Sequence, residues 1–308
     1  MNRLATSTVA AAIVCVAGWL APASVRGETI FSENFDGLKL GRSVHENIAG
    51  KNVWTKKPPA GWKIDDRGIS GVGDPKLGVA EWKGWSFADP VWWWRTAGNQ
   101  HRSRFKRGSG VVAVADPDEW SDRGNEKALK TYSTYLRTPE ISLKGMQPNT
   151  ATLLFDSSWR GDNRQTATVQ VSFDGGDPVE VLHWGSQRGP DFKAERTNEQ
   201  VTVTLKNPDD ARQMVITFGL SDAGNDWWWA IDNVEVTATP LPPAMVAGSG
   251  WVWTLLVVLL VAGGAAFLIL RRRRAGGSAK TPADALSLDK AAADRKEPVE
   301  EGAKKVTS

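Results

Sequence analysis

One cysteine occurs in 308 residues, and it lies in the apolar leader at position 15. The chain beyond the leader therefore has no disulfide to form. An exported domain built this way rests on its core, with or without a metal. Cys15 follows Ile13-Val14 rather than a small residue, a poor context for lipid attachment. Histidine is nearly as scarce: His45, His101 and His183 stand far apart, which argues against a histidine metal centre or triad. The metalloprotease H-E-x-x-H, the nucleophile elbow G-x-S-x-G, the phosphate loop and a cysteine nucleophile are all missing. The net charge of +3 is less than the four arginines at 271–274 supply. What remains is near neutral and lacks the basic face that a nucleic-acid partner needs. A short run, Arg102, Arg104, Lys106 and Arg107, alternates with Ser103 and Phe105 as the solvated face of a strand does. Helical periodicity is almost absent before residue 250.

Tryptophan is what the chain has in excess: 16, against 2 tyrosines and 9 phenylalanines. The indole has a wide apolar face and one N–H donor, which suits both a sandwich core and a sugar-stacking surface. Residues 38–110 are rich in Gly, Pro and Trp and predict long loops and short strands. Lys57-Pro-Pro-Ala-Gly-Trp62 marks a loop entering a strand. From residue 110 the pattern sharpens. Residues 111–115 read as a buried strand, followed by the acidic loop 116–122. Further strands are expected at 132–137, 141–143, 152–157, 167–173, 179–184, 201–205 and 214–220, with Asp174-Gly175-Gly176 as a hairpin turn. Short strands at regular spacing predict an all-β domain over 28–240, an antiparallel β-sandwich of jelly-roll type.

The closing stretch, Asn-Asp-Trp-Trp-Trp-Ala-Ile-Asp-Asn-Val-Glu-Val at 225–236, has the density of Trp, Ile and Val that a half-buried strand wants. Trp229 and Ile231 share one face of a regular strand, and so do Val234 and Val236. The two pairs reach the same face only with one extra residue between them, so a β-bulge is expected at Asp232-Asn233. The first strand is expected at 29–35, with Glu33 between Phe31 and Phe35 on one face. A charge there needs a partner or a cation.

Together, Ile30-Phe-Ser-Glu-Asn-Phe-Asp-Gly37, Val169-Gln-Val-Ser-Phe-Asp-Gly-Gly176 and Trp229-Ala-Ile-Asp-Asn-Val-Glu-Val236 resemble the MAM-like and concanavalin A-like jelly rolls of secreted bacterial proteins. In those, an opening F-x-E-x-F-D strand pairs with a closing A-I-D-[DN]-[IV] strand. The resemblance implies adhesion or ligand binding, and in some members a structural Ca²⁺ held by acids of the terminal strands.

Candidate sites follow from residue types. If the two ends pair, Glu33, Asp36 and Asp232 can converge as oxygen ligands for calcium. Asp116, Asp118 and Asp122 in the acidic loop are a second set. It lacks the Gly and terminal Glu placement of an EF-hand loop. The same acids can instead cap turns or pair with Arg160 and its neighbours. The triplets Trp92-Trp93-Trp94 and Trp227-Trp228-Trp229 are the candidate ligand-binding residues. In a strand the middle ring points opposite to its flankers, so Trp93 and Trp228 are expected outward, or the reverse. All of them can also serve only as core, as Trp159 and Trp184 are expected to. Jelly-roll glycosidases need two carboxylates flanking a sugar bond, and Asp116-Pro-Asp-Glu119 is the nearest approach. Pro117 argues against a regular central strand there, and no enzyme is expected.

The ends set the expected location. Residues 1–27 read as a signal peptide: Arg3, a short apolar core at 9–20, then small residues. Residues 241–250 read as a Pro/Gly linker. Residues 251–270 form an uncharged run of about 20 residues, enough for a bilayer at about 1.5 Å per residue. The arginines at 271–274 put the 271–308 tail on the cytoplasmic side as an unstructured segment. The expectation is a single-pass membrane protein whose outer domain binds a glycan or another cell-surface polymer. The alternative is a structural or adhesion protein contacting another surface protein.

Overall fold

The closing stretch forms a ten-residue strand, Trp229–Ala238, at the middle of one sheet. The computed structural model describes residues 27–48, 50–70, 78–123, 131–242 and 257–260. Among them are thirteen strands: β1 Glu28–Glu33, β2 Trp54–Thr55, β3 Lys63–Asp65, β4 Ser86–Ala88, β5 Val112–Ala115, β6 Tyr132–Arg137, β7 Ile141–Ser142, β8 Thr152–Trp159, β9 Thr166–Phe173, β10 Val179–Gly185, β11 Arg196–Thr204, β12 Gln213–Ala223 and β13 Trp229–Ala238. One sheet runs β11-β8-β13-β5-β4-β2, with β1 also on β13; the other runs β10-β9-β12-β6-β3, with β7 also on β12. Every pairing of named strands is antiparallel.

The two sheets meet through aromatic side chains. Phe155 on β8 lies edge-on to Phe218 on β12 at 5.3 Å, and Trp229 on β13 meets Phe218 at 6.0 Å. All three are fully buried. This is the β-sandwich that the strand spacing predicts.

The opening strand pairs with the closing one, from Glu28 opposite Ala238 to Glu33 opposite Val234. The bulge is where parity requires it. The β13–β8 register shifts between Asp232 and Glu235, and Asn233 takes a left-handed φ of 50°. Trp229, Ile231, Val234 and Val236 are all buried as a result. At the hairpin between β9 and β10, Asp174 and Gly175 both have positive φ, 50° and 76°, which matches the twist of the flanking strands. The expected long loops before residue 110 are tied down by Lys56. Its ammonium donates to the carbonyls of Lys83 and Trp85 and lies 2.9 Å from Asp66.

Three expectations are corrected. The triplet 92–94 is helical, in α1 Pro90–Thr96. The Asp89 carboxylate caps it by accepting from Trp92 N at 2.7 Å, and Pro90 suits the first turn. The acidic loop 116–122 is a second short helix, α2 Pro117–Ser121, capped by Asp116. The basic run is no strand face either. Residues 102–104 form a 3₁₀ turn, and Arg102 is buried rather than solvated.

Residues 1–26, 243–256 and 261–308 lie outside the described residues, and with them most of the expected signal peptide, linker, membrane span and tail. Of the expected span only 257–260 are described, as helix. Among the described residues no helix is long and apolar enough to cross a membrane. The chain divides into two units, 1–246 and 247–308, and both sheets belong to the first.

Candidate functional site

A helix points successive side chains about 100° apart, so α1 does not alternate its tryptophans as a strand would. Trp92 and Trp93 turn inward and Trp94 is half-buried. Trp92 stacks on Trp82 at 5.4 Å and donates from Nε1 to the Ile48 carbonyl. Trp93 donates from Nε1 to Asp116 Oδ2 at 2.8 Å. In the second triplet only Trp229 belongs to β13. Trp228 and Trp229 are fully buried and donate to Ser158 Oγ and Ser157 Oγ, while Trp227 is half-buried. Of the two orientations expected, the one that turns Trp93 and Trp228 to solvent does not occur. They are core, in perpendicular contact at 5.9 Å. Trp159 is core as expected, while Trp184 is half-buried.

Two arginines are woven into these rings. The Arg102 guanidinium lies 4.3 Å from the Trp228 ring and 5.9 Å from that of Trp93. The Arg160 guanidinium lies 3.6 Å over Trp227 and 5.5 Å from Trp228. Guanidinium–indole contacts of this kind are attractive and orient both groups.

Between α1 and the 3₁₀ turn the backbone does something uncommon. Gly98, Asn99, Gln100 and His101 have φ of 59°, 67°, 41° and 83°, four left-handed residues in a row. Left-handed non-glycine residues cost on the order of 1–3 kcal/mol each and persist where their surroundings fix them. Here Arg102 Nη1 donates to the Ala97 carbonyl and to the Gln100 side chain. Asn99 Oδ1 accepts from Ser103 N, and Arg160 Nη1 donates to the Gln100 carbonyl at 2.6 Å. The strained loop is thus clamped to the ring-stacked Arg160. Beside it, Glu195 takes His101 Nδ1 at 2.7 Å and lies 3.6 Å from Arg160 Nε. Trp227, Arg160, Gln100, His101 and Glu195 form one partly exposed surface of aromatic and polar groups.

Sequence reasoning missed Glu195, Gln100 and His101. The Gly98-Asn99 pair is a turn signal, but nothing local ties positions 101, 160 and 195 together.

The acidic sets fare differently. Asp116, Asp118 and Glu119, rather than Asp122, are the trio whose oxygens lie within 4.8 Å of one another. Arg102 fills the place expected for calcium. It contacts Asp116 at 2.9 Å, Asp118 at 3.0 Å and Glu119 at 3.2 Å. Burial works against the arginine's charge, but Asp116 foremost outweighs it and keeps the guanidinium charged. Burial, and then Asp116, raise Glu119 to about 9 and Asp118 to about 6. The Arg102–Glu119 contact does not reverse this, because Asp116 already holds that guanidinium. Glu119 and Asp122 line a polar cleft of about 460 Å³ with His45 and Glu46. Burial raises Glu46 to about 7, with Glu81 and Asp116 adding to it.

Glu33, Asp36 and Asp232 do not close on one point. Glu33 Oε1 accepts from Phe35 N, a local turn contact. Asp36 Oδ1 accepts from Val111 N, and Asp232 Oδ2 from Ser109 N, so these two acids hold one loop between them. Gly110 in that loop has φ of 63°, and a Cβ there would sit 1.9 Å from Asp36 Oδ1. Burial raises Asp232 to about 7, with Asp36 and Asp156 both adding to the rise.

No protein-family model and no curated protein matches the chain. Among solved structures it is similar to the K1 cleaved adhesin domain of Lys-gingipain from Porphyromonas gingivalis: 19% identity, TM-score 0.40, over 69% of this chain and 99% of that one. It is also similar to TmCBM61, solved in complex with beta-1,4-galactotriose: 14% identity, TM-score 0.32, over 57% of this chain and 88% of that one. A third is a cyclase from Fischerella sp., at 16% identity and TM-score 0.36, covering 65% of this chain and 94% of that one. At these values no ligand or activity passes from them to this chain.

Proposed function

We propose that the domain is a non-catalytic carbohydrate-binding module on the outer face of a membrane, exported by residues 1–27 and anchored by 251–270. The ligand lies across Trp227, Arg160 and the loop 98–101. The observation that carries this reading is the left-handed run 98–101, clamped by Arg160 on Trp227. A strained loop held rigidly beside a half-exposed indole and a carboxylate is what a preformed sugar site needs: a flat apolar edge with fixed donors and acceptors. The test uses the full chain in mild detergent against a panel of soluble and insoluble polysaccharides. Saturable binding that weakens about tenfold or more in Trp227→Ala, with an unchanged circular dichroism spectrum, supports the site. Binding unaffected by Trp227→Ala removes it.

Calcium enters this proposal as a structural ion beside Asp36 and Asp232, which hold the loop at 109–111 between them. Two carboxylates already crowd Asp232, and an oxygen-only donor set suits Ca²⁺. Asp116, Asp118 and Glu119 are left out because the Arg102 guanidinium already occupies the space between them. A melting temperature that is the same in Ca²⁺ and in EDTA rejects the ion.

A protein-contact role is favoured by one feature. β10 is an edge strand with Val179 56% exposed, and Phe192 beyond it is 48% exposed. Absence of any polysaccharide binding by the folded chain shifts the reading to that role.

A further inference from the structure

The charges around Glu195 say what kind of sugar the proposed site takes, an inference that rests on the glycan-binding reading above. Two guanidinium groups and an imidazole turn to this one carboxylate. His101 Nδ1 is 2.7 Å and Arg104 Nη1 is 3.8 Å from Oε1, and Arg160 Nε is 3.6 Å from Oε2. The side chains of His101, Arg104 and Arg160 remain 41%, 59% and 20% exposed, so all three are open to a ligand. Guanidinium groups stay charged throughout the accessible pH range. Two of them against one carboxylate leave a positive charge over.

The neighbouring acids are turned to other partners. Asp226, next to Trp227, is buried, and its oxygens accept from Asn163 Nδ2 and Gly224 N. Glu199 pairs with Lys193 at 2.8 Å. Asp116 and Asp118 are engaged by Arg102. Arg104 contacts Glu195 only at long range, and arginine's planar fork matches carboxylate and sulfate oxygens.

We propose that the ligand is a polysaccharide whose sugars carry an anionic group, a carboxylate or a sulfate ester, held by Arg104 and Arg160 beside Trp227. A neutral glycan leaves the cationic surplus unused.

Affinity electrophoresis of the full chain through gels containing matched polymers tests this. Polygalacturonate is set against neutral galactan, carrageenan against agarose, with polyglutamate as a control. Retention by an anionic polymer at least tenfold above its neutral match is expected, falling about tenfold in Arg104→Gln at an unchanged melting temperature. Preference for polygalacturonate assigns the carboxylate, and preference for carrageenan the sulfate. Equal retention by the neutral polymers overturns the proposal and leaves the glycan reading standing. Equal retention by polyglutamate overturns it in favour of an acidic protein partner. Unchanged retention of Arg104→Gln also overturns it. No retention by any polymer overturns both readings at once.

Discussion

Arg102 and Asp116 face each other as a bidentate ion pair, Nε to Oδ2 and Nη2 to Oδ1 both at 2.9 Å, and neither side chain touches solvent. The pair joins the 3₁₀ turn to the cap of α2 and holds Trp93 and Trp228 between them. Removing one partner of a buried pair leaves the other charge uncompensated. Arg102→Ala is expected to lower the unfolding free energy by about 3–5 kcal/mol, read by urea denaturation. The double change Arg102→Met with Asp116→Leu should recover part of that loss. A single-variant loss below about 1 kcal/mol would show that solvent reaches the pair.

Acid strengths near this pair set a pH dependence. Glu119, Glu46, Asp232 and Asp118 are raised to about 9, 7, 7 and 6, in each case by burial foremost. Between their ordinary values and these, the folded chain binds more protons than the unfolded one. Their contribution to stability is therefore full below about 4 and is lost as pH rises to 9. Asp65, lowered to about 2 by hydrogen bonds from Arg67, acts with the opposite sign but only at lower pH. The urea midpoint should be lower at pH 8.5 than at pH 5, and Glu119→Gln should flatten the upper part of that slope. A midpoint that rises over this interval contradicts the assignment.

The bulge makes a sharper demand on one residue. Asn233 sits at φ 50° while its Nδ2 donates to Asp156 Oδ2 and to the Arg107 carbonyl. A β-branched residue there keeps neither the backbone nor the hydrogen bonds, so Asn233→Val should cost about 1–3 kcal/mol. Asn233→Gly keeps the backbone and should cost less. Thermal melts of the two variants separate strain from hydrogen bonding, and equal losses would point to the side chain alone.

Much of the sandwich was legible because a strand writes its burial into alternate positions. The bulge at Asp232-Asn233 followed from parity alone, and the pairing of β1 with β13 from the two terminal motifs. The tryptophan triplets misled because three consecutive residues fit a strand or a helix equally well. Seven residues of α1 are too few for a 3.6-residue period to declare itself, and only Asp89-Pro90 marked the helix start. Arg102 looked like one of a solvated row, since the charges that draw it inside are 14 to 17 residues further along. The surface around Glu195 could not be read at all. Its members come from separate loops brought together only by the packing of β8, β11 and β13.

With the domain anchored and bound as proposed, the strand that closes it is also its line of mechanical load. At Trp229 it starts beside Trp227 and Arg160; at Ala238 it ends opposite Glu28, where the domain's first strand begins. Ten residues at about 3.3 Å each put roughly 30 Å between the proposed sugar surface and the point where chain leaves the sandwich. A pull on a bound polymer, resisted beyond Ala238, acts along β13. It loads the hydrogen bonds to β8, β5 and β1 together in shear, rather than opening them one after another.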